Sequence, residues 1–154
     1  MCRFSRILNI VLLLMLVALV YQFMIRGSVA PSRDGRTAIL LSDAERGLVL
    51  SEMRAFLVAV QGITDAAVKG DIDGVVEHAR AVGMASSDGV PPALIGKLPL
   101  AFKKLGFATH RGFDQLAMDT EQMGEAGLAT QRLAALMQNC VACHAGYRLT
   151  TESP

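Results

Sequence analysis

The stretch Ile7–Ile25 (ILNIVLLLMLVALVYQFMI) carries no charged residue, and nothing else in the chain restricts its possible folds so much. At 1.5 Å per residue a helix over it is roughly 28 Å long, close to the thickness of a hydrocarbon core. This predicts one uncleaved N-terminal transmembrane helix within residues 1–26. The alternative is a secretory signal removed after Ser28-Val29-Ala30. The apolar part of such signals is usually about 7–15 residues, and here Pro31 would become the first mature residue, a poor position for cleavage. Arg3 and Arg6 before the run are nearly balanced by Arg26, Arg33 and Arg36 after it, so charge alone does not set the orientation. Cys2 precedes the run, the wrong side for a lipid anchor, and reads as a thiol without a role.

A chain of 154 residues leaves room for one ordinary domain beside that segment. With 52% hydrophobic and 19% charged residues it is not a disordered chain. A net charge of +1 supplies no concentrated basic face, so nucleic acid is excluded as a partner. Residues 27–42 (GSVAPSRDGRTAILLS after Arg26) mix Gly, Ser, Pro and Arg without a sustained period. They read as a tether that ends in a short apolar patch, Ile39–Leu41.

Residues 43–150 form the domain. Ser42 and Glu45 fit a capping box, after which Val49, Met53, Phe56, Val60, Ile63 and Ala67 recur at three and four, flanked by Leu50 and Leu57, until Gly70. Asp71 or Asp73 can cap a second helix whose inner side is Val75, Val76, Ala79, Val82 and Gly83, broken at Ser86-Ser87-Asp88-Gly89. Residues 90–108 are too rich in Pro and Gly for one helix but stay apolar at Leu94, Leu98, Phe102, Leu105 and Phe107, so they should drape over something. Thr109 can cap a third helix with Phe113, Leu116, Ala117 and Met123 inward. A fourth runs from about Leu128 to Tyr147 with Ala129, Leu133, Leu136, Cys140 and Cys143 or His144 inward. No segment alternates as a strand would. The expectation is an all-α chain: an antiparallel four-helix bundle after one transmembrane helix, with residues 151–154 as a tail.

Cys140-Val141-Ala142-Cys143-His144 is a C-x-x-C-H motif, the attachment signature of haem c. Two thiols at this spacing reach the two vinyl groups on one porphyrin edge, and the adjacent imidazole comes over the ring to bind iron. Three other readings stand beside it. Zinc would need four N, S or O ligands, and no second ligand pair occurs. A dithiol redox centre wants a strand before it and a helix N-terminus to lower a thiol pKa. Small Cys and Ala can also pack on a core helix by chance. Haem explains most. It adds bulk to a chain with only 5% aromatic residues, and it gives residues 90–108 something to cover. Thioethers form where haem is delivered outside the cytoplasm, which puts residues 42–154 in the periplasm.

With the motif in the last helix and Tyr147 and Arg148 following it, the chain resembles the cytochrome c′ family, including its low-spin relatives with a methionine ligand. The resemblance covers about residues 43–150, taking in the first helix with its methionine, the Lys69-Gly70-Asp71 break, the Pro-rich segment, a third helix near Phe113, and CVACHAGYR at Cys140–Arg148. It implies one covalent haem c on Cys140 and Cys143, with His144 as proximal ligand. It also implies Met53 as the distal ligand and Arg148 beside the haem. A Met ligand suits a one-electron carrier that meets redox partner proteins. With Met53 only as flexible core filling, the iron would be five-coordinate and bind nitric oxide or carbon monoxide. A third reading is a haem-bearing accessory subunit of a membrane redox complex. The family often forms homodimers through its first two helices. No paired acid and base stands near the motif, so no enzymatic reaction is expected.

His110 reads as a partly exposed histidine in the first turn of the third helix, with an iron or propionate role as the alternative. His78 reads as a surface residue. Lys97, Lys103, Lys104 and Arg111 cluster around the Pro-rich segment, either facing propionates or an acidic partner, or simply solvated.

Overall fold

The computed structural model describes residues 2–151, with side chains from residue 4 onward; the Cys2 thiol and residues 152–154 of the expected tail lie outside them. The described chain is mostly helical. Its first helix, α1 (Cys2–Val20), continues through a π-helical turn, Tyr21–Arg26. None of the most apolar stretch within Phe4–Arg26 is buried, and its length and hydropathy suit it to cross a membrane or to serve as a signal.

Residues 27–42 are not a tether. They fold into β1 (Val29–Pro31) and β2 (Thr37–Leu41), antiparallel with Val29 opposite Ile39. A third strand, β3 (Tyr147–Thr151), follows the C-x-x-C-H motif and lies parallel to β2 with Thr37 opposite Tyr147. The all-α expectation is corrected by this sheet. Strands of three and five residues are too short to display alternation, and β2, the central strand, buries Ala38, Ile39 and Leu41 together. A parallel pair needs a long crossover; here every helix after α1 lies between β2 and β3.

The helices begin and end for local reasons. α2 (Asp43–Lys69) opens on the expected capping box, with Ser42 N–H donating to Glu45 Oε2 at 2.8 Å and Glu45 N–H to Ser42 Oγ at 3.3 Å. It ends at Gly70 in the left-handed region. Asp71, not Asp73, caps α3 (Ile72–Arg80), accepting from Gly74 N–H at 2.9 Å. A 3₁₀ turn, Met84–Ser87, and the short α4 (Pro92–Lys97) follow. α5 (Leu100–Met123) begins ten residues earlier than a cap at Thr109 suggested. Pro99 starts it, and the Thr109 hydroxyl bonds back to the Leu105 carbonyl at 2.8 Å inside the helix instead of capping one. α6 (Ala126–Gly146) carries the motif in its last turns.

α2 packs on α3 and α6, and α5 on α3 and α6, around Phe56, Ile63, Val75, Phe113, Leu116 and Leu133. A second apolar cluster lies under the sheet, built on Ile39, Leu41, Val49, Leu94, Leu98 and Phe102. Met53 is partly buried and packs against both. Of the expected inward residues, Leu57 and Met123 point to solvent instead.

The end of the apolar helix is held firmly to the domain. Lys103 Nζ donates to the Met24 carbonyl at 2.9 Å, Ser28 N–H to the Lys97 carbonyl at 2.7 Å, and Gln22 Nε2 to the Gly27 carbonyl at 3.0 Å. Gly27 has φ +68°, and a Cβ there would press into the Lys97–Pro99 backbone. Only glycine suits that turn.

Candidate functional site

The last turns of α6 present Cys140 and Cys143 as free, half-buried thiols, with His144 exposed beside them. Spacing of three and four on a helix puts the three on one side. Cys143 and His144 line a cavity of about 180 Å³ that Met53 and Leu50 of α2, Val49, Phe102 and Leu149 also line. Tyr147 and Arg148 of β3, with Arg36 and Arg46, complete it. Four of the five residues expected from the sequence, Met53, Cys143, His144 and Arg148, thus meet in one place. Cys140 lies one helical turn before Cys143 and is not in the cavity wall.

The sheet orients this end of the helix. Because Thr37 is opposite Tyr147, the preceding Arg36 reaches the terminal carbonyls of α6: its Nη1 donates to His144 O and Tyr147 O, each at 3.4 Å. Arg36 is itself held by Asp34, Nη2 to Oδ2 at 2.7 Å. The hydrogen bonds from Arg36 and then Ser32 hold the Asp34 carboxyl well below the usual carboxylate range. Arg148 Nη1 donates to Ser32 Oγ at 3.2 Å and stands 3.7 Å from Asp34 Oδ2. Arg36 entered the sequence reading only as a charge beside the apolar run. No local signal marks it, because its role depends on strand pairing across the whole domain.

Burial raises both thiols. Cys143 is pushed up to about 11, first by desolvation and then by Cys140, and Cys140 is raised by desolvation. Tyr147 is raised by its own burial and by Cys143. Such thiols stay protonated at neutral pH, the opposite of what a reactive dithiol centre requires. Among the described residues no three His, Cys, Asp or Glu side chains gather to hold a bare metal ion.

The donor set fits a haem c: two thiols at the attachment spacing, an adjacent imidazole, a thioether lining the same cavity as that imidazole, and the guanidinium groups of Arg46 and Arg148 for carboxylates. A volume of about 180 Å³ is smaller than the roughly 300–1,000 Å³ of small-molecule sites, so the cavity does not enclose a whole macrocycle.

His110 corrects its expectation. It lies in the middle of α5, buried, with Nε2 3.0 Å from Glu52 Oε1 and Nδ1 2.9 Å from the Val82 carbonyl. It lines a different cavity from Cys143. His78 is half-buried, its ring seated where a Cβ on Gly62 would be. Of the four expected basic residues, Lys97 pairs with Glu45 at 2.8 Å, and Lys103 is buried under the end of the apolar helix.

No family model matches the chain, and no curated protein or solved structure was found to match it.

Proposed function

We propose that the chain is a c-type cytochrome of the cytochrome c′ kind, with α2, α3, α5 and α6 as a four-helix haem bundle. It carries one electron on the periplasmic side of the inner membrane, held there by its uncleaved N-terminal helix. The observation that carries this reading is the meeting of Met53 from α2 with Cys143 and His144 from α6 in the lining of one cavity. The attachment spacing Cys140-x-x-Cys143-His144 supplies the chemistry that such a meeting needs.

Cys140 and Cys143 would hold the porphyrin edge, His144 and Met53 the iron, and Arg148 and Arg46 the carboxylates. When bound, haem supplies a one-electron couple, which thioether ligation tunes toward higher potential. The protein's own contribution is positional. Arg36 holds the carbonyls at the end of α6, the β2–β3 pairing orients Tyr147 and Arg148, and Val49 and Phe102 give the cavity apolar lining. Redox partners would approach from the open side, where His144 is exposed. Leu57, Val58 and Val68 form exposed apolar positions on α2, a surface on which two copies could pair.

A five-coordinate, gas-binding form is the second reading. It draws on the packing of Met53 against both apolar clusters, since core filling makes the same contacts. Absorption spectra of the ferric and ferrous protein, with and without carbon monoxide, separate the two. The His/Met carrier gives a low-spin spectrum that carbon monoxide leaves unchanged; ready carbon monoxide binding by the unmutated protein rejects ligation by Met53.

A further inference from the structure

A second, larger cavity of about 770 Å³ lies across Val49 and Phe102, which line both spaces. We propose that it binds a lipid-soluble hydroquinone-type molecule, a flat apolar ring carrying a hydroxyl group, which reaches it from the membrane. The inference rests on the reading of α1 as a membrane helix and is independent of haem.

The volume falls within the roughly 300–1,000 Å³ of small-molecule sites, and such sites combine apolar walls with a few converging polar groups. Here the walls include Phe56, Leu94, Leu98, Phe102 and Phe107, and the polar groups are the Glu52–His110 pair together with Ser51, Ser86, Ser87, Asp88 and Lys103. The Val82 carbonyl can only accept, so His110 Nδ1 carries a proton. The contact of 3.0 Å between His110 Nε2 and Glu52 Oε1 then holds one further proton between the two. Glu52 is the accessible member, its side chain 32% exposed against 4% for His110. Its carboxylate can accept a hydrogen bond from a ligand hydroxyl.

The polar lining also selects the class. Glu52 and Asp88 both face the space, so an anionic lipid headgroup would meet negative charge. Lys103, a cation in the wall, is already bound to the Phe23 and Met24 carbonyls. An uncharged hydroxyl donor fits. The route is set by the same contact. α4 and the start of α5 form one wall of the cavity, and the end of the apolar helix rests on them, with Gly27 against Lys97–Pro99 and the Phe23 ring beside Gly96. The cavity therefore stands where the chain would leave the bilayer.

The test uses the full chain in detergent micelles, titrated with the fluorescent hydroquinone analogue 2-heptyl-4-hydroxyquinoline N-oxide. Saturable quenching at one site per chain is expected. Gly106 lines the cavity on α5, and a Cβ there meets nothing within 4 Å. Gly106→Leu thus fills the space while favouring the helix, and is expected to weaken binding about tenfold or more. Gln61→Ala, exposed on α2 and outside both cavities, is expected to leave affinity unchanged. Unsaturable partition, or binding that Gly106→Leu does not weaken while circular dichroism reports it folded, overturns the inference. The haem of the same samples is read separately from their haemochrome spectrum, so a colourless chain that binds the probe supports this site and rejects the cytochrome.

Discussion

Arg36 Nη1 stands 3.4 Å from the carbonyl oxygen of His144, across 108 residues of sequence. A cation at a helix C-terminus offsets the partial negative charge of its unpaired carbonyls, an effect of about 0.3–1 kcal/mol when exposed. Arg36→Ala is therefore expected to lower stability by about that amount. Urea titration, with the exposed Arg33→Ala as comparison, measures it.

His110 makes stability depend on pH near neutrality. Burial pulls its pKa down, but the hydrogen bond to Glu52 and the Val82 carbonyl outweigh that and leave it raised. A raised value means the imidazolium is stabilised in the folded state. Its contribution is complete below the ordinary value of about 6.5 and is lost as pH rises through the folded value. Asp34 and Glu45, both lowered, act only in acid, and the raised Cys140 and Cys143 thiols lose their contribution only from about pH 9 upward, where an unfolded thiol ionises. Denaturant midpoints of the unmutated chain are expected to fall as pH rises above about 6.5, and His110→Gln is expected to flatten that fall.

Gly27→Ala is expected to loosen the junction between the apolar helix and the domain. Its φ of +68° and ψ of −167° lie in a region nearly restricted to glycine, and strain there costs about 1–3 kcal/mol. Limited proteolysis reads the effect as faster cutting near residues 26–32, with the bundle left intact.

Met53→Leu tests the distal position. In the His/Met carrier the substitution opens one coordination site, and the ferrous protein becomes able to bind carbon monoxide. An unchanged spectrum means that Met53 is core filling.

Much of the architecture is legible because helix signals are local. The Ser42–Glu45 box, Gly70, Asp71 and the buried stripe Val75, Val76, Ala79 and Val82 all stand where the sequence places them. What escapes is set by distant partners. Residues 29–41 resemble a linker until β3 supplies the neighbouring strand. Thr109 resembles a cap, but Pro99 has already begun the helix. His110 resembles a surface residue until Glu52 and the Val82 carbonyl are brought to it. The candidate site divides in the same way. Cys140, Cys143 and His144 are visible as a motif, and Met53 through a family resemblance, whereas Arg36, Arg46 and Phe102 join them only through tertiary contact.

The most direct measurement is the mass of the intact, denatured protein isolated from membranes of cells that make c-type cytochromes. The expected result is the mass of the full-length polypeptide plus one haem, lost when Cys140 and Cys143 are both replaced by alanine. A mass equal to the polypeptide alone, from cells whose other c-type cytochromes carry haem, contradicts the account.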